Sequence, residues 1–291
     1  MKKILVTGAT GLLGKSLVPR LKKIDAKVYT QSLKSPGSDF MLDLSDRDKV
    51  HNTLNNIMPN IIINLAALTN VDYCEEHPND AFLANSCSVV NIVSWILKTK
   101  KVCFLIHIST DHLYDGIGPN LENTINIKNV YALSKYSGEI AASLVPSTII
   151  RTNFFWRFDL SKRKNFVDWL YDALKKQEEI KLFSDVFFSP LAISTLIDML
   201  FLIIEYQPVG TFNLGSNEGM SKAQFGFYLA NKLSLSSDKI KEIKSETAEF
   251  LSASRPKDMR MNSNKFENLM NLKLPTLTEE IDKLVKAYKY E

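Results

Sequence analysis

Cysteine is scarce in this chain: three residues in 291, Cys74, Cys87 and Cys103. An odd count without C-x-x-C or paired Cys/His spacing excludes a disulfide framework and a zinc site. It leaves buried, reduced thiols of a cytosolic protein as the simplest account. No metal-ligating constellation is expected. The longest oily stretch, Leu191 to Ile204, carries Asp198 and is too short to span a bilayer. MKKILVTGATGLLG imitates a signal peptide, but Lys15, Arg20, Lys22 and Lys23 follow at once and no convincing small-residue cleavage site is found. Charge is not concentrated either. The 36 Lys and Arg against 32 Asp and Glu give a net charge of +4, and the basic clusters are short: KKIDAK, KTKK and SKRK. Nothing resembles a nucleic-acid stripe. Internal repeats, low-complexity tracts and long linkers are also missing. The expectation is a soluble, cytoplasmic protein with no nucleic-acid and no membrane partner.

With 45% apolar and 23% charged residues, the chain is ordinary globular material. Short apolar runs at residues 4–8, 27–31, 61–66, 104–110 and 147–152 read as strands buried on both faces. Between them, residues 12–24, 46–57, 79–99 and 130–143 carry helical spacing. This alternation predicts an α/β fold with a doubly wound parallel sheet. After residue 152 the pattern loosens into helices at 165–178, 191–205, 221–233 and 277–289, with strands at 180–183 and 210–214. We therefore expect a Rossmann domain over 1–152, with 180–215 returning to it. A smaller, mixed α/β substrate lobe is expected over 153–179 and 216–291.

Thr7-Gly8-Ala9-Thr10-Gly11-Leu12-Leu13-Gly14 stands between a predicted strand and a predicted helix, the context a dinucleotide loop needs. Its glycines let the backbone turn tightly and approach a pyrophosphate, whose charge sits on the free N–H groups of the helix start. An NAD site usually has an acid at the end of the second strand. Here Tyr29 to Lys34 holds no carboxylate, and Lys34 lies near, which favours NADP over NAD. Asp43 has two readings, a hydrogen bond to an adenine amino group or a cap at a helix start.

Tyr131 and Lys135 are four apart, on one face of a predicted helix. Reduction of a carbonyl needs a proton donor, because a nicotinamide supplies only hydride. A tyrosine with a pKa near 10 serves only if its anion is stabilised, and about three units of lowering takes roughly 4 kcal/mol. A neighbouring ammonium in a partly dry site can supply energy of that order. Ser109, Thr110 and Asp111 end a buried strand, where ligands collect in open parallel sheets.

With these motifs in order, the chain resembles the extended short-chain dehydrogenase/reductases. Within them it is most similar to the dTDP-4-dehydrorhamnose reductases. The similarity runs through VTGATGLLG, PNIIINLAALTNVDYCEEHPNDAFLANS, ISTDHLYDG, NVYALSKYSGE, IIRTNFFW, KNFVDWLYDAL and RPKDMRMNSNKF. The resemblance implies Thr110, Tyr131 and Lys135 as catalytic residues. It implies a cofactor wall of Gly8, Thr10, Gly11, Leu12, Leu13, Gly14, Asp43, Leu44, Ala66, Ala67, Thr69 and Asn85, with Tyr131 and Lys135 added. As a bare sequence feature, Asn85 reads instead as a structural hydrogen-bonder. A nucleotide-sugar substrate would meet Thr69, Val71, Asp111, His112, Phe154 and Arg255, the guanidinium of Arg255 taking the diphosphate.

The chain departs from the resembled pattern at four places. His112 stands where a tyrosine is frequent, Phe154 where a tryptophan is usual, Phe188 and Ala132 where glycine is common. The reaction centre is kept while the substrate wall is altered. His112 reads either as a titratable group near substrate or as a polar loop side chain. The implied activity is NAD(P)H-dependent reduction of the 4-keto group of a nucleotide-linked 6-deoxy sugar. An epimerase or dehydratase on the same scaffold and a non-catalytic, cofactor-binding regulatory subunit stay open as alternatives. Oligomeric state also stays open, with a homodimer as one option.

Overall fold

The computed structural model describes residues 1–157, 165–248 and 251–289; the basic cluster SKRK lies outside the described residues. They divide into two compact units. The first comprises Met1–Thr110, Asn129–Arg151 and Ile197–Phe212, and the second Asp111–Lys128, Thr152–Leu196 and Asn213–Glu291.

Strands β1 (Lys2–Thr7), β2 (Ala26–Ser32), β3 (Phe40–Met41), β4 (Ile61–Asn64), β5 (Phe104–Ile108) and β6 (Ser147–Thr152) form one sheet with the strand Gly210–Leu214. From one edge to the other, the order is β3-β2-β1-β4-β5-β6 and then Gly210–Leu214. The ladders from β3 to β6 are parallel, with Val6 opposite Ile63 and Ile63 opposite Ile106. This is the doubly wound order, in which the progression of strands across the sheet reverses between β1 and β4 while β1 to β6 all stay parallel. Helices α1 (Leu12–Leu21), α2 (Arg47–Ile57), α3 (Val71–Glu76), α4 (Pro78–Phe82), α5 (Ser88–Lys98) and α6 (Val130–Ala142) connect these strands.

The central strands β1, β4 and β5 are mostly apolar because both faces are covered. Leu5, Ile62, Leu105 and Ile149 pack with Val50 and Leu54 of α2 and Val89, Ile92 and Trp95 of α5, each at most 3% exposed. Each such side chain contributes about 1.5–3 kcal/mol by leaving water. The indole of Trp95 keeps a partner by donating to Asn55 Oδ1 at 2.7 Å.

The run Pro78–Lys98 is long and apolar enough to cross a membrane by composition. Half of it is buried in the fold, with α5 packed on α2 and α6, which marks a core helix. It is also not the uniform helix the spacing predicts. Leu83–Cys87 is a π turn, the kind of bulge that forms where a side chain is diverted to other work.

In the second unit, three two-stranded pairings replace a large sheet: Phe154–Phe155 with Leu191–Ala192, Phe187–Phe188 with Met220–Ser221, and Ile180–Phe183 with Ile240–Ile243. Phe155, Val167, Leu170, Leu182, Phe225, Leu229, Ile281 and Leu284 form its core. These units differ from the expected division in two places. Residues 111–128 belong to the second unit, because Asn120 N donates to Arg260 O, Asn262 N to Asn120 O, and Asn213 N to Glu122 Oε1. Residues 180–196 do so too, through the strand pairs just named and the bonds from Ala192 N and Thr195 Oγ1 to Glu280.

Candidate active site

In the first unit, the three glycines of the β1–α1 loop have different tasks. Gly8 has φ +62°, and a Cβ on it would lie 2.7 Å from Ala66 N, so glycine lets the ends of β1 and β4 touch. A Cβ on Gly14 would lie 2.5 Å from Ala9 O, so glycine also seats α1 on the loop. Gly11 is the open one. Its added Cβ would meet Gly8 O alone, at 3.2 Å, and as N-cap of α1 it offers no side-chain bond. The first-turn N–H groups of α1 are therefore not used by a side-chain cap, which suits a pyrophosphate. Gln31 braces the loop, accepting from Gly8 N at 3.0 Å and donating to Leu42 O at 2.7 Å. Thr10 and Leu12 are half-buried beside it, while the Leu13 side chain belongs to the core.

An acid does reach the second strand, from outside the segment Tyr29 to Lys34. Asp39 Oδ2 accepts from Thr30 N and Thr30 Oγ1 at 2.8 and 2.7 Å. Asp43 does not cap α2. It closes a turn on Ser45 N and Oγ, both at 2.8 Å, and Asp46 is the cap, accepting from Lys49 N. The Leu44 side chain is core, and its carbonyl accepts from Asn91 Nδ2.

After β4, Ala66 is half-buried and Ala67 and Thr69 are exposed, while Val71 and Leu68 pack with Cys74 and Ala81 around Tyr131. Asn85 is fully buried in the π turn. Its Oδ1 accepts from Leu68 N at 2.8 Å, and its Nδ2 donates to Leu68 O and Ser134 Oγ, both at 3.0 Å. Asn85 thus ties the Ala66–Thr69 loop to α6.

Asn129 starts α6 by accepting from Ala132 N at 2.8 Å, and Glu75 accepts from Val130 N at 2.9 Å. That first turn carries Tyr131, which is 8% exposed. One turn on, the ammonium of Lys135 donates to Ile108 O at 2.6 Å, two residues before the buried Thr110. Burial lowers the Lys135 pKa to about 8, with Glu139 pulling the other way. Glu139 is matched in turn by Arg151, in a two-pronged pair closing to 2.7 Å with both side chains 4% exposed. Gly138 permits this packing, since a Cβ there would fall 2.4 Å from Asn85 O.

A row of buried polar side chains crosses the same strands: Thr7 Oγ1 donates to Asn64 Oδ1 at 2.5 Å, and Asn64 Nδ2 lies 3.0 Å from His107 Nδ1. Burial, then the charge of Lys135, drives the His107 pKa well below 6.5, so it is neutral.

The second unit begins at Asp111, which is 2% exposed and accepts from Asn153 Nδ2 at 2.8 Å. Burial, then the charges of Arg255 and Lys222, lower the His112 pKa to about 3. At neutral pH His112 is therefore an uncharged donor and acceptor. Arg255 and Phe154 are half-buried, the former donating to Ala253 O at 2.9 Å. Asn153 stands within IIRTNFFW but carries no role that the sequence shows, and Lys222 sits in no recognisable motif. Among the described residues, no group of three His, Cys, Asp or Glu side chains could hold a metal ion.

Residues 1–290 match the family described as the RmlD substrate binding domain. The spore coat polysaccharide biosynthesis protein SpsK of Bacillus subtilis is 30% identical over 225 residues, 76% of this chain and 75% of that protein. The dTDP-4-dehydrorhamnose reductase of Shigella flexneri is 29% identical over 287 residues, 94% of this chain and 93% of that one. The crystal structure of dTDP-4-dehydrorhamnose reductase from Bacillus anthracis in complex with NADP superimposes with a TM-score of 0.87 at 25% identity, covering 99% of this chain and 100% of that one.

Proposed function

This chain belongs to the RmlD substrate binding domain family, and from that premise we propose that it is an NAD(P)H-dependent oxidoreductase acting on the 4-keto group of a nucleotide-linked 6-deoxy sugar, in polysaccharide sugar biosynthesis. The observation that carries this is the Tyr131–Lys135 face of α6, its ammonium bonded to Ile108 O beside the strand end that bears Thr110. When bound, the reduced nicotinamide supplies the hydride. The loop of Gly8, Gly11 and Gly14 with the first turn of α1 holds the diphosphate of NADP or NAD. Thr10, Leu12, Ala66, Ala67 and Thr69 line the same cofactor, and Asp43 keeps its adenine role as part of this reading.

Thr110 holds the carbonyl oxygen of the sugar. Tyr131 gives that oxygen its hydroxyl proton as C4 is reduced, so C=O becomes CH–OH and a phenolate remains on Tyr131. The Lys135 ammonium stabilises that phenolate, and solvent returns the proton. Asp111, Phe154 and Arg255 receive the sugar nucleotide. A dehydratase would want a second acid next to Asp111; that neighbour is the neutral His112. Soluble cofactor and nucleotide sugar fit a cytoplasmic enzyme.

The test is to mix the protein with NADPH or NADH, dTDP-4-keto-6-deoxyglucose and the preceding 3,5-epimerase. Loss of the reduced-cofactor absorbance and appearance of the sugar alcohol by NMR are expected. Absence of oxidation with every 4-keto sugar nucleotide tried overturns the reading. Tyr131→Phe is expected to cut turnover about 10²–10⁴-fold with cofactor binding retained; unchanged turnover removes Tyr131 from the acid role.

A further inference from the structure

Lys222 occupies a place that neither helix formation nor packing accounts for. It is the first residue of the helix Lys222–Lys232, whose start is already closed by a capping box. In that box Ser221 Oγ accepts from Gln224 N at 3.1 Å, and Gln224 Oε1 accepts from Ser221 N at 2.8 Å. A cation at that end is opposed by the helix dipole. The side chain does not reach water freely. Its ammonium lies 3.3 Å from the ring centre of Phe188 and 4.6 Å from that of Phe166. Burial holds its pKa well below the ordinary lysine value, with Asp111 as the attractive charge. Among the described residues, the Lys222 ammonium has no hydrogen-bond or ion-pair partner.

Aromatic faces hold a cation but accept none of its N–H bonds in the directed way an oxygen does. Three donors therefore stand in a partly dry place without an oxygen, beside Asp111 and within electrostatic range of His112.

We propose that Lys222 donates a hydrogen bond to a hydroxyl group of the substrate's sugar and is a specificity-determining residue of the enzyme; this rests on the nucleotide-sugar reading above. A neutral hydroxyl fits better than a carboxylate, because Asp111 already offsets the charge. The diphosphate has Arg255. A sugar lacking oxygen at that position leaves the ammonium without an acceptor, and the site discriminates against it.

The experiment compares calorimetric affinities for dTDP-L-rhamnose and for dTDP, with NADP present, in the wild type, Lys222→Met and Lys222→Arg. The excess affinity for dTDP-L-rhamnose over dTDP isolates the sugar. Lys222→Met is expected to lose about tenfold or more of that excess at unchanged dTDP affinity, since a bond from a charged donor is worth at least that factor. Lys222→Arg keeps most of it. Full excess in Lys222→Met, or an equal loss for dTDP, overturns the assignment. A wild type that gains nothing from the sugar overturns instead the nucleotide-sugar reading beneath it.

Discussion

Each unit holds a lysine that burial makes less basic, and the two are treated differently. In the first unit Lys135 is anchored before any ligand arrives, by its 2.6 Å bond to Ile108 O and by Glu139 one helical turn away. In the second unit Lys222 rests on Phe188 and Phe166 and has no oxygen partner among the described residues. An anchored ammonium is a fixed source of positive potential, suited to a step whose geometry is the same for every substrate. An unanchored one completes its bonds only on a ligand, and so its energy depends on which ligand comes. On the proposed reading, reaction type belongs to the first arrangement and choice of sugar to the second.

The strongest way to break that contrast is to remove the support under Lys135. Glu139→Gln takes away the charge that raises the Lys135 pKa and leaves Arg151 buried without its carboxylate. A loss of about 3–5 kcal/mol in denaturant unfolding is expected. The Lys135 pKa should also drop further below about 8, so that turnover declines at lower pH than in the wild type. Wild-type stability and an unmoved pH profile would show that the Glu139–Arg151 pair does not support the reaction centre.

A smaller effect sharpens the other side. His112 is kept neutral by burial and by the charges of Arg255 and Lys222, with a pKa of about 3. Its unfolded value lies near 6.5, so below that pH the unfolded chain binds the extra proton and the folded chain does not. Stability from this group is complete above about pH 6.5 and is lost as pH falls towards 3. Between pH 6.5 and 5 the loss is about 2 kcal/mol. His112→Asn should therefore flatten the fall in melting temperature over that range; an equally steep fall would show that His112 is not held neutral. No inflection in activity between pH 5 and 8 is expected from His112.

What could be read from the sequence follows the same division. The loop Gly8–Gly14 and the Tyr131–Lys135 pair depend on spacing within one turn or one helix, so their geometry is encoded locally. The strands of the sheet show themselves because both faces are buried. The Phe188 ring, Lys222 and Asp111 come from three distant segments, and no local period joins them. Asp39 reaches Thr30 only because the chain returns along β3, and the π turn at Asn85 exists to serve Leu68 and Ser134. Segment 111–128 carries no apolar period. Its place is set by bonds to residues 213–262, which lie almost a hundred positions or more away.

The smallest predicted effect tests how firmly the first unit is fixed in advance. Asn129 caps α6 by accepting from Ala132 N at 2.8 Å, and Tyr131 lies within that capped turn. Asn129→Ala should cost about 1 kcal/mol of stability. Glu75 still holds Val130 N, so the helix start loosens without unravelling. On the proposed reading, in which Tyr131 is the proton donor and the cofactor sits on the β1–α1 loop, hydride transfer tolerates little misplacement of that donor, so kcat should fall several-fold while affinity for the cofactor stays the same. If kcat is unchanged, packing against Cys74, Ala81, Leu68 and Val71 alone positions the phenol, and the anchored character of this unit lies in its core and not in the cap.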